Sequence, residues 1–169
     1  MKIKLAFLLT CIILADVGHA LCQETEITTF ILLRHAEKVD NSSDPDLSIK
    51  GYERAERLAS MLSKTEIAAI YSTNLTRTKE TVRTVAENSD MDIQTYGVQT
   101  PVETVSEWID KHRGEIVVVS GHSNTTPAFA NALIGREHFS GSFDDSDYGN
   151  LLIITLSETG DSKLLHLRY

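Results

Sequence analysis

Two short runs of large apolar residues, each followed at once by polar residues, most constrain how this chain can fold. Ile31-Leu32-Leu33 leads directly into Arg34 and His35, and Ile116-Val117-Val118-Val119 leads into Ser120-Gly121-His122. Both faces of such a run are apolar, so each run is expected to form a central strand of a parallel sheet. The chain between the two runs must then supply helices that cover both faces of that sheet.

The rest of the sequence alternates between short strands and amphipathic helices. Strands are predicted at residues 28–33, 67–71, 92–96 and 115–120, and helices at residues 47–63, 75–87, 101–112 and 125–134. Two further strands, 151–156 and 163–169, flank a turn at 158–161 and predict a C-terminal hairpin. The expected fold class is therefore α/β: a three-layer α/β/α sandwich with a mostly parallel central sheet and an antiparallel C-terminal edge.

Capping residues are predicted at three helix starts. Ser48 is placed to cap the first helix, and Asn74 or Thr73 to cap the second. Thr100 and Glu103 have the spacing of a capping box around Pro101, which is favoured at the first position of a helix.

The N-terminus has the pattern of a secretory signal peptide. Lys2 and Lys4 precede an apolar run, and Gly18-His19-Ala20 supplies small residues before a cleavage point. Residues 1–20 are therefore predicted to be a signal peptide and residues 21–169 the mature domain, with a buried N-terminal helix as the alternative. The protein is expected to be exported, either periplasmic or secreted. Lipid attachment at Cys22 is not favoured, because the bulky Leu21 precedes it.

Charge and cysteine content argue against a nucleic-acid-binding protein, a protein of anionic membrane surfaces and a fold held by disulfides or a cysteine metal cluster. The net charge is −8 at pH 7, and such a surface repels nucleic acid and anionic lipid head groups. The two cysteines are Cys11, inside the predicted signal peptide, and Cys22. The mature chain is thus expected to hold no internal disulfide and no cysteine metal cluster.

Four chemistry-bearing residues are predicted to meet at one edge of the sheet. Arg34 and His35 follow the first strand, Arg77 lies just beyond the second, and His122 follows the strand at 115–120. In open α/β sheets ligands bind beyond the carboxyl ends of the strands. Two guanidinium groups match the oxygens of a phosphoryl group, and nearby cations disfavour imidazolium, which keeps a histidine nitrogen free as a nucleophile. The same arginines would repel a metal ion, so a metal site at the two histidines is disfavoured.

Four motifs, in order along the chain, resemble those of the histidine phosphatase superfamily, also called the phosphoglycerate mutase-like family. They are Arg34-His35-Ala36, Leu47-Ser48-Ile49-Lys50-Gly51, the run from Tyr71 to Thr81 that includes Arg77, and Gly121-His122. Ala36 stands where the family usually has glycine, in an Arg-His-Ala-Glu-Lys variant of the motif. The chain lacks long insertions and so resembles the compact members, some of which act on phosphorylated proteins.

The resemblance implies that His35 accepts the phosphoryl group and that Arg34, Arg77 and His122 complete the pocket. It implies no metal and no organic cofactor. Many relatives use a glutamate soon after the third strand as the proton donor; Glu103 is the candidate here, with Glu37 and Asp147 as others. Since Glu103 also completes the predicted capping box, its role stays open.

The leading hypothesis is a metal-independent phosphatase that hydrolyses phosphomonoesters or phosphoprotein through a phosphohistidine at His35. The alternatives are a non-catalytic phosphate-binding module and, less favoured because of the short chain, a phosphomutase. The expected partner is a small phosphorylated substrate or a phosphoprotein, without nucleic acid or stable membrane insertion of the mature chain. The substrate and the oligomeric state are not predictable from this sequence.

Overall fold

The computed structural model describes residues 26–169. The predicted signal peptide and the question of lipid attachment at Cys22 lie outside these residues. No helix between residues 26 and 169 has the length and apolar character needed to span a bilayer.

The described residues form a six-stranded sheet flanked by four helices, as predicted. The strands are β1 (Ile27–Arg34), β2 (Ile67–Ser72), β3 (Ile93–Thr95), β4 (Ile116–Gly121), β5 (Asn150–Ser157) and β6 (Ser162–Arg168). The helices are α1 (Ile49–Leu62), α2 (Thr76–Asn88), α3 (Pro101–Lys111) and α4 (Thr125–Ile134).

The strand order is β3-β2-β4-β1-β5-β6, with β1 and β4 at the centre. The pairs β1–β4, β2–β4 and β2–β3 are parallel, whereas β5 pairs antiparallel with both β1 and β6. The predicted fold class is therefore confirmed, including the antiparallel C-terminal edge. The register places Arg34 opposite Gly121, so the ends of β1 and β4 lie side by side.

Two hydrophobic clusters cover the two faces of the sheet. On one face α3 and α4 pack around Trp108 and Phe129, and on the other α1 and α2 contribute residues such as Leu58 and Val82. These clusters make the three layers that the alternating strand and helix pattern predicts. They hold the strand ends at one edge of the sheet in fixed positions.

Two helix faces differ from those that the spacing of apolar residues predicts. That spacing places Ile49 of α1 and Val102 of α3 on the core side of their helices, but Ile49 is 82% exposed and Val102 is 67% exposed. In α1 the buried positions of the first turns are instead Gly51 and Arg54. The reason is local: the start of α1 packs against the loop that follows β1 and not against the sheet.

One predicted cap is present and two are not. Ser48 accepts a hydrogen bond from the backbone N–H of Gly51 at 3.1 Å, as expected. Neither Thr73 nor Asn74 caps α2; Asp44, from the loop before α1, accepts from the backbone N–H of Thr76 at 2.8 Å. Thr100 makes no side-chain capping bond in α3, so the predicted capping box does not form.

Gly51 is required by the close approach of α1 to the loop that follows β1. A Cβ at this position would lie 2.2 Å from the carbonyl oxygen of Glu37. Alanine favours a helix over glycine by about 1 kcal/mol, but this contact with backbone requires the loop after His35 to move. We expect Gly51→Ala to lower the free energy of unfolding by about 1–3 kcal/mol in urea denaturation. A Cβ at Gly141 would contact nothing within 4 Å, so Gly141→Ala serves as the control. Equal stability of the two variants would contradict this explanation.

Candidate active site

The ends of β1 and β4 bring the two histidines together. The backbone N–H of His35 donates to the carbonyl oxygen of Gly121 at 2.9 Å, which extends the strand pairing by one residue. The imidazole rings of His35 and His122 lie edge to face with centroids 5.5 Å apart. The sequence prediction that these residues share one edge of the sheet is thus matched by the geometry.

The hydrogen bonding of His35 fixes which ring nitrogen is free. Its Nδ1 lies 2.8 Å from the carbonyl oxygen of Ala36. A carbonyl oxygen can only accept, so Nδ1 carries the proton and Nε2 keeps its lone pair. The residue is only 4% exposed. This arrangement holds the ring in a fixed orientation, with an Nε2 lone pair that is chemically able to act as a nucleophile.

Ala36 fits its position because its side chain packs into a small buried cluster with Leu47 and Ala55. Its backbone N–H donates to the Thr81 hydroxyl at 2.9 Å, which ties the loop to α2. An alanine in place of the glycine usual in similar motifs therefore adds packing without disturbing the nucleophile.

Arg34 and Arg77 each leave part of the guanidinium group without a hydrogen-bond partner among the described residues. Arg34 donates from Nη1 to the carbonyl oxygen of Asp144 at 2.9 Å, and its Nη2 lies 3.3 Å from Oδ1 of Asp145. Arg77 has long contacts of 3.5 Å to the carbonyl oxygen of Ser43 and 3.9 Å to Asp44. Among the described residues, the Nε atoms of Arg34 and Arg77 are buried and have no hydrogen-bond partner. An anion placed between these donors would satisfy them.

The acidic loop from Phe143 to Gly149 forms one wall of the site, although its sequence alone is typical of a solvated turn. It supplies the carbonyl groups that hold Arg34, and the ring centroid of Tyr148 lies 4.3 Å from that guanidinium group. The Tyr148 ring is also 5.9 Å from the ring of His35. Sequence analysis missed Tyr148, because a tyrosine in a loop far along the chain has no local pattern that marks it.

Two threonines next to His122 were also missed. The Thr73 hydroxyl lies 3.0 Å from Nε2 of His122 and 2.9 Å from the Thr78 hydroxyl. Both threonines are buried. They fall within the motif that supplies Arg77, where the second hydroxyl residue of Ser72-Thr73 was the available signal.

Burial and the nearby cations keep both histidines neutral. Burial lowers the pKa of His35 to about 3; the hydrogen bond to Ala36 opposes this shift, and the charges of Arg34, His122 and Arg77 add to it. Burial, followed by the charges of Arg77 and Arg34, lowers the pKa of His122 to about 4. Both pKa values are lowered in the direction expected from the adjacent arginines, with burial as the larger cause.

The dependence of the free energy of unfolding on pH should reveal that His35 is buried and neutral. In the unfolded chain a histidine takes up a proton near pH 6.5, whereas folded His35 resists protonation down to about pH 3. The stability contributed by neutral His35 is complete above pH 6.5 and is lost as the pH falls, by about 1.4 kcal/mol per pH unit. We expect the free energy of unfolding in urea to drop between pH 7 and pH 5, and to drop by about 2 kcal/mol less in His35→Asn. The same pH slope in both proteins would contradict the assignment.

Glu37, one candidate proton donor, is engaged in a structural ion pair. Its two carboxylate oxygens each accept from Arg54 at 2.8 Å, in the forked geometry of a strong pair. Burial favours a raised pKa, but the hydrogen bonds and charges from Arg54, the backbone and Lys50 outweigh it and lower the pKa of Glu37. Arg54 also donates to the carbonyl oxygen of Tyr169. Glu37 therefore anchors the loop after His35, which argues against its role as the acid.

Asp147 is engaged in the same way, whereas Glu103 is not. Both oxygens of Asp147 accept from Arg168, at 2.8 and 3.0 Å, and this pairing outweighs burial and lowers the pKa of Asp147. Glu103 is exposed in the first turn of α3, and its side chain makes no hydrogen bond or ion pair with residues 26–169. The absence of the capping box removes the competing explanation for Glu103, so it is the candidate acid that the geometry leaves open.

Comparisons with known proteins find a matching family model and solved structures with the same fold. Residues 30–97 match the family model described as histidine phosphatase superfamily (branch 1). Two solved structures share the fold: a mycobacterial glucosyl-3-phosphoglycerate phosphatase, 14% identical with a TM-score of 0.69, and YhfR from Bacillus stearothermophilus, 21% identical with a TM-score of 0.68. They cover 84% and 82% of this chain, and 99% and 96% of their own. Residues 30–97 are thus similar to the histidine phosphatase superfamily, and most of the chain shares the fold of these two structures.

A third solved structure with this fold is a phosphoserine phosphatase mutant from Entamoeba histolytica in complex with phosphoserine. It is 14% identical to this chain, with a TM-score of 0.64, and covers 81% of this chain and 94% of its own. No curated protein matches the sequence significantly. The range matched by the histidine phosphatase model includes Arg34, His35 and Arg77 but ends before His122, so the fourth site residue rests on the fold and the geometry.

Proposed function

We propose that the protein is a phosphatase that hydrolyses phosphomonoesters or phosphoprotein through a phosphohistidine intermediate on His35. The observation that carries this proposal is the pair of buried arginine Nε atoms without partners beside a neutral histidine whose Nε2 is free. Two forked cations match the charge and geometry of a phosphoryl group, and a free imidazole nitrogen is a nucleophile for phosphorus. The phosphatases among the structural neighbours support the same reaction class.

The reaction proceeds in two displacements. Nε2 of His35 attacks phosphorus and forms a P–N bond while the P–O bond to the leaving group breaks. The leaving oxygen takes a proton, for which Glu103 is the proposed donor. Water then attacks the phosphohistidine and gives a proton back to Glu103, the P–N bond breaks, its electron pair returns to Nε2, and inorganic phosphate departs.

The arginines and the second histidine stabilise the transferring group. Arg34 and Arg77 donate to its oxygens, where charge is spread in the transition state. No step needs a metal, and the two arginines disfavour one; metal independence is part of the proposal. Among residues 26–169, no three His, Cys, Asp or Glu side chains are grouped so as to hold a metal ion. Export of the protein remains a prediction from residues 1–20.

The test is turnover on a panel of phosphorylated compounds without added metal. The panel contains p-nitrophenyl phosphate, phosphoserine and a serine-phosphorylated peptide, and the readout is release of inorganic phosphate. Release from any of them, unchanged by a chelator, supports the proposal. Phosphate binding in calorimetry without turnover on the whole panel would favour the non-catalytic phosphate-binding module. Transfer of the group to a second hydroxyl compound in preference to water would favour a mutase.

A further inference from the structure

The hydroxyl groups of Thr73 and Thr78 form a buried chain that ends on His122. The Thr73 hydroxyl lies 3.0 Å from Nε2 of His122 and 2.9 Å from the Thr78 hydroxyl. Thr78 is 0% exposed and Thr73 5%, so water does not compete for these groups. The single hydroxyl proton of each threonine therefore has to be assigned within the chain.

The carbonyl groups around Thr78 determine which threonine donates in the hydrogen bond between Thr73 and Thr78. The Thr78 hydroxyl lies 2.8 Å from the carbonyl oxygen of Leu75 and 3.0 Å from that of Thr73. Carbonyl oxygens only accept, so Thr78 gives its proton to one of them and accepts from Thr73. Thr73 then has no proton left for the imidazole and accepts from Nε2 of His122.

We propose that Thr73, backed by Thr78, is a positioning residue that holds His122 in the tautomer with the proton on Nε2. His122 then has its lone pair on Nδ1, which makes no hydrogen bond with residues 26–169. His35 is held in the opposite tautomer by the carbonyl group of Ala36. The two rings therefore enter the reaction with different free nitrogens.

The hydrogen-bonded hydroxyl groups of Thr73 and Thr78 prepare His122 to carry a proton once a phosphoryl group is bound. This role, unlike the tautomer, rests on the proposed function. The anion offsets the two arginine charges that disfavour imidazolium, and Nδ1 can take up a proton and donate it to a phosphoryl oxygen as a hydrogen bond. An imidazolium nitrogen cannot accept, so the partner at Nε2 must be an acceptor, which is what Thr73 provides.

The direct test is ¹⁵N NMR of the histidine side chains at neutral pH in the substrate-free protein. We expect the His122 signals to show a protonated Nε2 and an unprotonated Nδ1. A protonated Nδ1 in the wild-type protein would overturn the proposal, whatever the activity. This readout does not depend on turnover, so failure here is distinct from failure of the proposed function.

Three variants test the role in catalysis. Thr73→Val removes the acceptor and keeps the shape, Thr73→Ser restores the hydroxyl, and Thr104→Val is a control whose side chain makes no hydrogen bond to residues 26–169. We expect Thr73→Val to lower kcat about 10- to 100-fold, to shift the alkaline limb of the kcat profile to lower pH and to lose the fixed tautomer. The limb moves down because imidazolium loses its acceptor. Thr73→Ser should restore all three. An unchanged pH profile and tautomer in Thr73→Val would contradict the role, and if that variant does not fold, the wild-type tautomer decides.

Discussion

Replacing His35 with alanine is expected to lower kcat on p-nitrophenyl phosphate by at least about 10⁴-fold, because no other group offers a free nitrogen at this position. His35 is held at Nδ1 by Ala36 and flanked by cations, so its Nε2 is both oriented and unprotonated at neutral pH. Removing the ring removes the covalent step, whereas the arginines remain available to bind phosphate. Steady-state release of phosphate measures the loss.

His138→Ala is the matched control for this substitution. His138 is exposed after α4, and no contact links it to the site within residues 26–169. We expect its activity to stay within about twofold of the wild-type value, since surface changes away from a site have small effects. Activity of His35→Ala within tenfold of wild type would exclude His35 as the nucleophile.

The second large effect is expected from Arg77→Met, which should lower kcat/KM about 10²–10³-fold. The Arg77 Nε atom is buried without a partner, and its other contacts are long, so the substitution breaks no short hydrogen bond. Its loss should therefore be felt mainly by the bound phosphoryl group. Arg77→Lys keeps the charge but not the forked donors, and should recover only part of the activity.

Arg83→Met provides the control from the same helix. Arg83 is an exposed residue of α2 that pairs with Glu80 three residues earlier, and exposed pairs of this kind contribute little to stability. The measurement is kcat/KM on p-nitrophenyl phosphate together with the Kd of inorganic phosphate. If Arg77→Met binds phosphate and turns over substrate like Arg83→Met, the proposal that Arg34 and Arg77 together bind the phosphoryl group is wrong.

The features predictable from sequence are those fixed by local pattern and strand topology. The apolar run before Arg34 requires a central strand, and parallel strands end at the same edge of a sheet, so the meeting of His35 and His122 follows. The residue that caps α2 could not be predicted from local sequence. Thr73 and Asn74 precede that helix, but the capping carboxylate comes from Asp44, which is distant in sequence and is brought there by the loop.

Loop-borne contacts also escaped prediction, since long-range packing and not local sequence sets them. Tyr148 reaches Arg34 only because β5 lies beside β1, and the acidic loop must cross the end of the sheet to enter β5. Glu37 belongs to the motif that marks the site, yet its partner Arg54 is on α1. The motif alone leaves open whether the carboxylate acts in chemistry or in packing; the ion pair assigns it to packing.

The central claim is tested most directly by trapping the phosphorylated protein. The protein is mixed with a ³²P-labelled phosphomonoester, quenched in alkali, which spares phosphohistidine, and mapped by peptide digestion. We expect label on His35, attached to Nε2, that forms and decays fast enough to explain kcat and is absent from His35→Ala. Turnover without label on His35, or label on another residue, would contradict it.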